Sequence, residues 1–238
     1  MALEPLIALS DVGFAYAAGA AVLDGVDLAI APGERVALLG ANGSGKTTML
    51  HLLVGLLRGW SGEVRAFGAV RRRPGDFHEV RQRAGLLFQD PEDQLFCPTV
   101  AEDVAFGPIN LGHSRAEAAE IARRTLTSLG LDGYDDRITY KLSGGEKRLA
   151  SLAAVLAMAP DVLLLDEPTT NLDARARRQL LDALDPLDEA MLLVTHDLTL
   201  AGRLCTRAAV LGEGKIVADA PAEDVLADAD LLAAHGLQ

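Results

Sequence analysis

Apolar residues in the first third of the chain fall into short runs, and turn signals such as Pro32-Gly33 separate these runs. Short apolar runs bounded by turn residues predict strands. The predicted strands are Leu6–Leu9, Val12–Tyr16, Val26–Ile30, Arg35–Leu39, Glu63–Phe67 and Ala84–Phe88. We therefore expect a first third that is rich in β-structure.

From Thr99 to about Met158 the apolar spacing becomes helical, and Gly130 is placed to end one of the helices. Strand-like and helix-like segments then alternate, and Ala222–Gly236 predicts one or two short helices. The alternating segments are Val162–Leu165, Ala174–Leu184, Met191–Val194, Leu198–Leu204 and Ala208–Leu211. Strands with almost no polar residues, separated by helices, are typical of a parallel sheet covered on both faces. The prediction is an α/β core interrupted by a helical insertion.

The formal net charge of −12 argues against nucleic acid as the main ligand, because binding to a phosphate backbone needs a basic surface. The one basic run, Arg71–Arg73, is interpreted as a solvated turn beside Pro74-Gly75. No apolar stretch approaches the roughly 18–20 residues of a membrane-spanning helix. The first residues show no signal-peptide pattern. Cys97 and Cys205 lack metal-type spacing, so we expect reduced packing residues in a cytoplasmic protein.

A glycine-rich segment, Gly40–Thr47, lies between the apolar run Val36–Leu39 and a helix-like segment. This strand–loop–helix context predicts a phosphate-binding loop, in which glycines let successive N–H groups point at phosphate oxygens. The positive end of the following helix adds to the attraction. Lys46 is then expected to reach the β- and γ-phosphates, and the Thr47 hydroxyl to hold Mg²⁺.

A second candidate is the apolar strand Val162–Leu165, which is followed directly by the carboxylates Asp166 and Glu167. Asp166 is the natural Mg²⁺ partner, and Glu167 is a candidate to polarise an attacking water. The alternative is that both carboxylates cap a helix that starts at Pro168. Taken alone, the carboxylates support the two interpretations equally, but Lys46 and Thr47 in the same chain favour the functional one.

Three further residues lie at the ends of predicted strands: His196, Gln89 and Tyr16. His196 is a candidate to contact a γ-phosphate oxygen or to orient water, although a lone histidine is usually structural. Gln89 is a candidate to offer an amide oxygen to Mg²⁺ or water, although such a glutamine ordinarily has no special role. Tyr16 either stacks on adenine or is a core aromatic.

A second glycine motif, Leu142-Ser143-Gly144-Gly145-Glu146, opens another helix-like segment. One nucleotide needs only one phosphate cradle, so the second requires an explanation. In content and order these motifs resemble the nucleotide-binding subunits of ABC transporters over nearly the whole chain.

The resemblance implies a P-loop NTPase core of α/β class, with a RecA-like parallel sheet, an N-terminal antiparallel β subdomain and an ABC-type helical insertion. Residues 1–238 are then a single nucleotide-binding domain. Residues 1–89 and 159–238 form the α/β core with the β subdomain, and about 90–158 form the helical subdomain that ends in the signature helix.

The resemblance also implies roles for individual residues, with ATP and Mg²⁺ as cofactors. The catalytic residues are then Glu167 and His196, and the magnesium site uses Thr47, Gln89 and Asp166. The nucleotide-binding residues are Tyr16, Gly40, Ala41, Asn42, Gly43, Ser44, Gly45, Lys46, Thr47 and Thr48, together with Ser143, Gly144, Gly145 and Glu146. Two copies, or this chain and a close paralogue, pack head to tail, so that Ser143 and Gly145 of one contact the γ-phosphate held by Lys46 of the other.

Two positions depart from the common pattern: Glu146 replaces a glutamine, and Asn171 stands where a small residue is frequent. The segments Phe88–Phe96 and Pro98–Pro108 resemble energy-coupling-factor importers. Leu142–Arg148 and the Leu-Ala-Met-Ala-Pro sequence at 156–160 most resemble the ATPases of cobalt importers, with nickel and biotin relatives near. This resemblance implies a peripheral subunit at the cytoplasmic face of the membrane. Its partners are an integral membrane energy-coupling subunit, met at about Glu92–Phe96, and a substrate-binding membrane subunit.

Two other classes of function fit the sequence less well. A soluble ABC ATPase that acts on DNA or ribosomes normally has coiled-coil insertions, zinc modules, tandem domains or basic surfaces, and the sequence shows none of these. A non-motor nucleotide-binding regulator is expected to lack Glu167 or His196, and both are present. The importer ATPase is therefore the leading prediction.

Overall fold

The computed structural model describes residues 4–17 and 19–237. Its elements, in chain order, are β1 (Ile7–Ala15), β2 (Ala21–Ile30), β3 (Arg35–Leu39), α1 (Lys46–Leu53), β4 (Ser61–Ala66), β5 (Ala69–Arg71), α2 (Phe77–Arg83), β6 (Ala84–Leu87), α3 (Val100–Asn110), α4 (Arg115–Ser128), α5 (Gly144–Leu156), β7 (Val162–Asp166), α6 (Ala174–Leu184), β8 (Ala190–Val194), α7 (Leu198–Leu204), β9 (Arg207–Gly212), β10 (Lys215–Pro221), α8 (Ala222–Ala227) and α9 (Ala229–Ala234).

These elements divide into two units. Unit 1 contains the residues up to Ala84, the strand segment Asp161–Asp166 and the residues from Glu189 onward. Unit 2 contains Gly85–Pro160 and Glu167–Asp188. Unit 2 therefore includes α6, which the sequence interpretation placed with the core.

An antiparallel sheet in unit 1 has the strand order β2-β1-β4-β5. The two runs predicted as Leu6–Leu9 and Val12–Tyr16 form the single strand β1, so that prediction of two strands was wrong. Between them the pairing register shifts, and Asp11 has a φ of 50°. A bulge thus lets one strand continue through a break in the apolar pattern.

The second sheet of unit 1 has the order β10-β9-β3-β8-β7. The strands β7, β8, β3 and β9 pair in parallel, and β10 adds to β9 in antiparallel orientation. Every residue of β7 and β8 is buried, as expected for parallel strands that are covered on both faces. Together the two sheets confirm the predicted mixed α/β class with an antiparallel β subdomain.

Unit 2 is helical, and three of its helices begin with the same local device. In each, a Ser or Thr side chain accepts the N–H three residues later, and a glutamate at that position accepts the N–H of the Ser or Thr. The pairs are Thr99 with Glu102, Ser114 with Glu117 and Ser143 with Glu146. At its other end α4 stops at Ser128, and Gly130 follows with a φ of 71°, which confirms the predicted stop.

The basic run 71–73 is only partly the solvated turn that the sequence predicts. Arg72 and Arg73 are exposed, but Arg71 is buried as the last residue of β5. Its guanidinium donates to the Ala66 carbonyl at 2.8 and 3.1 Å and to a Glu79 carboxylate oxygen at 2.6 Å. A buried arginine is tolerated because its donors are satisfied in this way.

Candidate functional site

The parallel sheet of unit 1 brings three of the predicted site segments to one edge. Val194 in β8 pairs with Leu38 on one side and with Asp166 on the other. The Thr195 N–H also donates to the Leu38 carbonyl at 3.2 Å. The loop after β3, the carboxylate that ends β7 and the residues after β8 therefore share the carboxyl edge, where α/β proteins bind ligands.

The loop after β3 curls around the side chain of Lys46. This lysine is 6% exposed, and its Nζ donates to the carbonyls of Gly40 at 2.7 Å and Ala41 at 3.0 Å. A Cβ at Gly40 would lie 2.5 Å from the Leu211 carbonyl oxygen, and Gly45 has a φ of 108°, so both positions need glycine. The backbone forms a glycine cradle immediately before α1, as the sequence predicts.

The chemistry of this loop fits a phosphate. The Ser44 hydroxyl is buried with no hydrogen-bond partner in the described part of the chain. α1 begins at Lys46, so its first N–H groups and its positive dipole end point into the loop. Thr47 in the first turn is half-buried, and Ala41, Asn42 and Gly43 form the exposed tip.

Tyr16 lies just after β1 and is 48% exposed, so it is not a core aromatic. Its hydroxyl is 3.1 Å from the Thr48 hydroxyl of α1, and its ring meets Phe14 edge-on at 5.0 Å. These contacts hold the exposed aromatic face beside the first turn of α1.

The carboxylates Asp166 and Glu167 are both buried from solvent, but they do not cap the next helix. Asp166 is the last residue of β7, and Glu167 follows in the left-handed region with a φ of 44°. The next helix, α6, starts only at Ala174 and is capped by Asp173. The alternative role as caps is thus wrong, and a strained backbone at Glu167 is typical of a functional position.

In unit 1 the exposed His196 follows the buried Thr195.

The second glycine motif forms the first turn of α5 in unit 2, with Ser143 as its cap. Ser143 and Gly144 are exposed, and a Cβ at Gly145 would lie 2.5 Å from the Ala176 Cβ of α6. Glu146 faces back over this turn, where its carboxylate accepts the Ser143 N–H at 2.8 Å. The motif therefore presents a hydroxyl and open backbone at the positive end of a helix.

Two residues that the sequence interpretation did not single out hold Glu146. The Tyr134 hydroxyl and the Arg137 guanidinium both donate to its Oε1, and the guanidinium stacks 3.7 Å over the Tyr134 ring. The Tyr134 hydrogen bond first, and then the Ser143 N–H, lower the pKa of Glu146 from its ordinary value of 4.5 to about 2. Glu146 is thus a carboxylate at any physiological pH.

Gln89 is exposed and follows β6, while its backbone is fastened to α5 within unit 2. Arg148 of α5 donates to the carbonyls of Phe88 and Gln89. Gln94 accepts the Phe88 N–H at 3.3 Å and donates to the Ser151 carbonyl of α5 at 3.0 Å. The sequence interpretation did not identify Arg148 and Gln94, because nothing in their local sequence pattern distinguishes them from surface residues.

The segment expected to meet a membrane partner is partly core and partly surface. Leu95 is buried, whereas Phe96 is 65% exposed and Tyr140 is 74% exposed. Both exposed aromatics line a cavity of about 420 Å³ in unit 2. Buried Asp103 accepts the N–H groups of Phe96 at 3.0 Å and of Cys97 at 2.9 Å, so the segment is held in place.

A phosphate cradle before a helix, with a strand-ending carboxylate at the same sheet edge, defines a P-loop nucleotide-binding protein. A family profile described as ABC transporter matches residues 23–170. This chain belongs to the ABC transporter family as an ATP-binding domain, and it is an ATPase; the predictions of family and enzyme class are confirmed.

Relatives in curated collections carry ABC transporter ATP-binding names. A protein of Streptomyces coelicolor is 49% identical over 231 residues, which cover 97% of this chain and 88% of the relative. A protein of Brucella suis is 52% identical over 215 residues, with coverages of 90% and 89%.

Solved structures show the same fold. The cbiO1 protein of Clostridium perfringens, part of the ABC transporter complex cbiONQ, has a TM-score of 0.84 at 29% identity and covers 99% of this chain and 96% of its own. The dimeric cassette MJ0796 in a post-hydrolysis state, bound to ADP and Pi, has a TM-score of 0.83 at 26% identity, with coverages of 91% and 98%. Among the described residues of the present chain, no helix is long and apolar enough to cross a membrane.

Proposed function

We propose that this chain is the ATP-hydrolysing subunit of an energy-coupling-factor importer, acting at the cytoplasmic face of the membrane. It powers uptake of a divalent transition metal, with cobalt as the first candidate by its resemblance, and the alternatives are that the same ATPase powers uptake of nickel or of biotin. The observation that carries the transport part is the pair of exposed aromatics, Phe96 and Tyr140, which line one cavity. Phe96 follows closely on Gln94, which is hydrogen-bonded to the same helix, α5, as the Gln89 backbone.

The nucleotide site in this proposal uses the cradle 40–48, with Tyr16 against the adenine. The Thr47 hydroxyl, the Asp166 carboxylate and the Gln89 amide oxygen are the hard oxygen ligands that Mg²⁺ prefers. Bound Mg²⁺ would neutralise charge on the phosphates. Lys46 binds phosphate oxygens, Glu167 accepts a proton from the attacking water, and His196 holds the γ-phosphate and the water in position.

A second chain completes each site. The exposed Ser143 hydroxyl and the backbone N–H groups of Gly144 and Gly145 lie at a helix N-terminus, where they are suited to donate to a phosphate. We assign them to the γ-phosphate bound by Lys46 of the other copy, or of a close paralogue. The dimeric state of the cassette MJ0796 supports this arrangement.

The membrane partner is proposed to insert a helix into the cavity beside Phe96 and Tyr140. Exposed aromatic side chains around a cavity favour an apolar helix as the occupant. Arg148 and Gln94 hold the residues between Phe88 and Gln94 against α5. A displacement of Gln89 on nucleotide binding would therefore also displace Phe96. The likeness to cbiO1, part of the complex cbiONQ, supports this class of partner.

Replacement of both Phe96 and Tyr140 by Ser tests the proposal. We expect loss of radioactive cobalt uptake in cells, with unchanged fold and ATPase activity of the isolated protein, because both side chains are on the surface. Val217→Ser, an exposed apolar residue on β10 of unit 1, is the matched control. Unchanged uptake by the double variant would place the coupling surface elsewhere.

The substrate is tested separately in cells that lack this chain. Loss of cobalt uptake supports the first candidate, whereas loss of nickel or biotin uptake alone reassigns the substrate and leaves the ATPase role intact. If no membrane protein co-purifies with the wild-type chain and all three uptakes persist, the alternative of a soluble non-transport ABC ATPase is correct.

A further inference from the structure

A cavity of about 500 Å³ lies in unit 1 beyond the C-terminal end of α1, the opposite end of that helix from the phosphate cradle. Its lining comes from Gly55, Trp60 and Phe77, from two arginines, Arg58 and Arg72, and from their neighbours. Cavities of roughly 300–1,000 Å³ are typical of small-molecule sites. None of the residues assigned above to nucleotide, Mg²⁺ or the membrane partner lines it.

One wall of this cavity is aromatic and firmly packed. Trp60 meets Phe77 edge-on with ring centroids 5.7 Å apart, and Phe77 is fully buried. Gly55 lies so close to this ring that a Cβ there would stand 2.3 Å from the Phe77 Cγ. Because Trp60 is only half-buried, it offers an apolar surface to a ligand without rearrangement.

The charge of the cavity is positive, although the chain as a whole carries −12. No Asp or Glu is among the lining residues. Within residues 4–17 and 19–237, the guanidinium groups of Arg58 and Arg72 have no ion pair.

The acidic groups nearest in sequence to the lining residues are already engaged. Glu63, next to Gly62, pairs with Arg65 at 3.0 Å. Asp76 accepts the backbone N–H groups of Arg72 at 2.9 Å and Arg73 at 2.8 Å, which lower its pKa. Glu79 pairs with the buried Arg71 and with Arg83. The negative end of α1 is also covered, since Arg81 donates to the Val54 carbonyl at 3.1 Å. The positive charge in the cavity is therefore not cancelled by these groups.

We propose that this cavity binds a phosphate ester whose organic part is flat or apolar. Arg58 and Arg72 supply guanidinium groups, which match phosphate geometry in forked, charge-assisted hydrogen bonds. Trp60, held edge-on against the buried Phe77, supplies the surface for the organic part. The ester belongs either to a soluble metabolite or to a lipid headgroup.

The chain's single tryptophan, Trp60, reports directly on the cavity. We would titrate the protein with phenyl phosphate while saturating MgADP fills the phosphate cradle, and follow tryptophan emission. A saturable shift is expected. The double variant R58A/R72A should weaken binding at least about tenfold, since both charged donors are lost. R123A/R124A, which changes the net charge equally at exposed arginines of α4, should bind as the wild type does.

A second arm identifies the source of the ester. Vesicles of phosphatidylglycerol in phosphatidylcholine should shift the emission of the wild type and of R123A/R124A, but not of R58A/R72A, if the ligand is a lipid headgroup. A response to phenyl phosphate without a response to vesicles assigns a soluble ester. The proposal is overturned if neither probe gives a saturable shift, or if R58A/R72A binds as tightly as the charge-matched control.

Discussion

The Tyr134 hydroxyl donates to Oε1 of Glu146 over 2.6 Å, and this contact ties the second glycine motif to the loop after α4. Arg137 donates to the same oxygen at 3.0 Å, while the other carboxylate oxygen accepts the Ser143 N–H. In the proposed dimer, a glutamate here would otherwise bring negative charge toward the γ-phosphate bound by the other copy. Tyr134 and Arg137 offset that charge and fix the turn that presents Ser143.

Tyr134→Phe is therefore expected to lower kcat for ATP hydrolysis several-fold, with a smaller change in KM. The variant leaves Glu146 with one donor fewer, at a cost of about 1.5–3 kcal/mol for a hydrogen bond to a charged group. Steady-state kinetics give the split, and thermal unfolding reports stability. A loss of stability with unchanged kinetics would show that the contact supports only the fold.

The low pKa of Glu146 predicts a pH-dependent contribution to stability. The folded value of about 2 lies below the ordinary 4.5, so the contribution is fully present above about pH 5 and is lost as the pH falls toward 2. The difference in unfolding free energy between wild type and Glu146→Gln should shrink over this window in denaturant titrations. A difference that is constant from about pH 6 to pH 3 would contradict the assignment.

Glu167→Gln should reduce ATP hydrolysis by about 10²–10⁴-fold while ATP still binds. The amide keeps the shape of the side chain, but it cannot accept a proton from water. The variant should accumulate as an ATP-bound dimer, which size-exclusion chromatography detects. Near-normal turnover would remove Glu167 from the role of base.

His196→Ala should also lose most turnover, but for a different reason. The exposed imidazole at the sheet edge is proposed to position the γ-phosphate and the water, not to accept the proton. His196→Gln, which retains a hydrogen-bonding side chain, should recover part of the activity in the same ATPase assay. Equal loss in both variants would argue for a role that only an imidazole can fill.

Catalysis should need two chains. In a mixed dimer of Lys46→Ala and Ser143→Arg proteins, one composite site contains both lesions and the other contains neither. ATPase activity should therefore partly return on mixing two inactive parents. If mixed dimers form, as tagged pull-down would verify, and no activity returns, the proposal of a site shared between chains is wrong.

What could be predicted from the sequence depends on how local each feature is. The phosphate cradle was predictable because the strand, the glycines, Lys46 and α1 are contiguous. The capping pair of Ser143 and Glu146 was also readable, since a serine followed three residues later by glutamate marks a helix start.

Features that depend on distant parts of the chain were not readable. Tyr134 lies 12 residues before Glu146 in an irregular segment, so no period connects them. Likewise the burial of Arg71 depends on Glu79 across a turn, and Leu95 and Phe96 divide between core and surface because Asp103 orients the segment. Local sequence patterns predict the helices and strands, whereas tertiary contacts decide which polar residues have a structural role.

The cap at Ser143 uses only a lone pair of its hydroxyl oxygen, since it accepts the Glu146 N–H at 3.3 Å. The hydroxyl hydrogen is not used by the cap. It can donate a hydrogen bond to an oxygen of the phosphate bound by the other copy without breaking the cap. Association and separation of two chains would then exchange a hydrogen bond to water for one to phosphate, and α5 would keep its first turn throughout. An aspartate at this position would cap the helix equally well but would have no hydrogen to give, so a hydroxyl alone serves both partners at once.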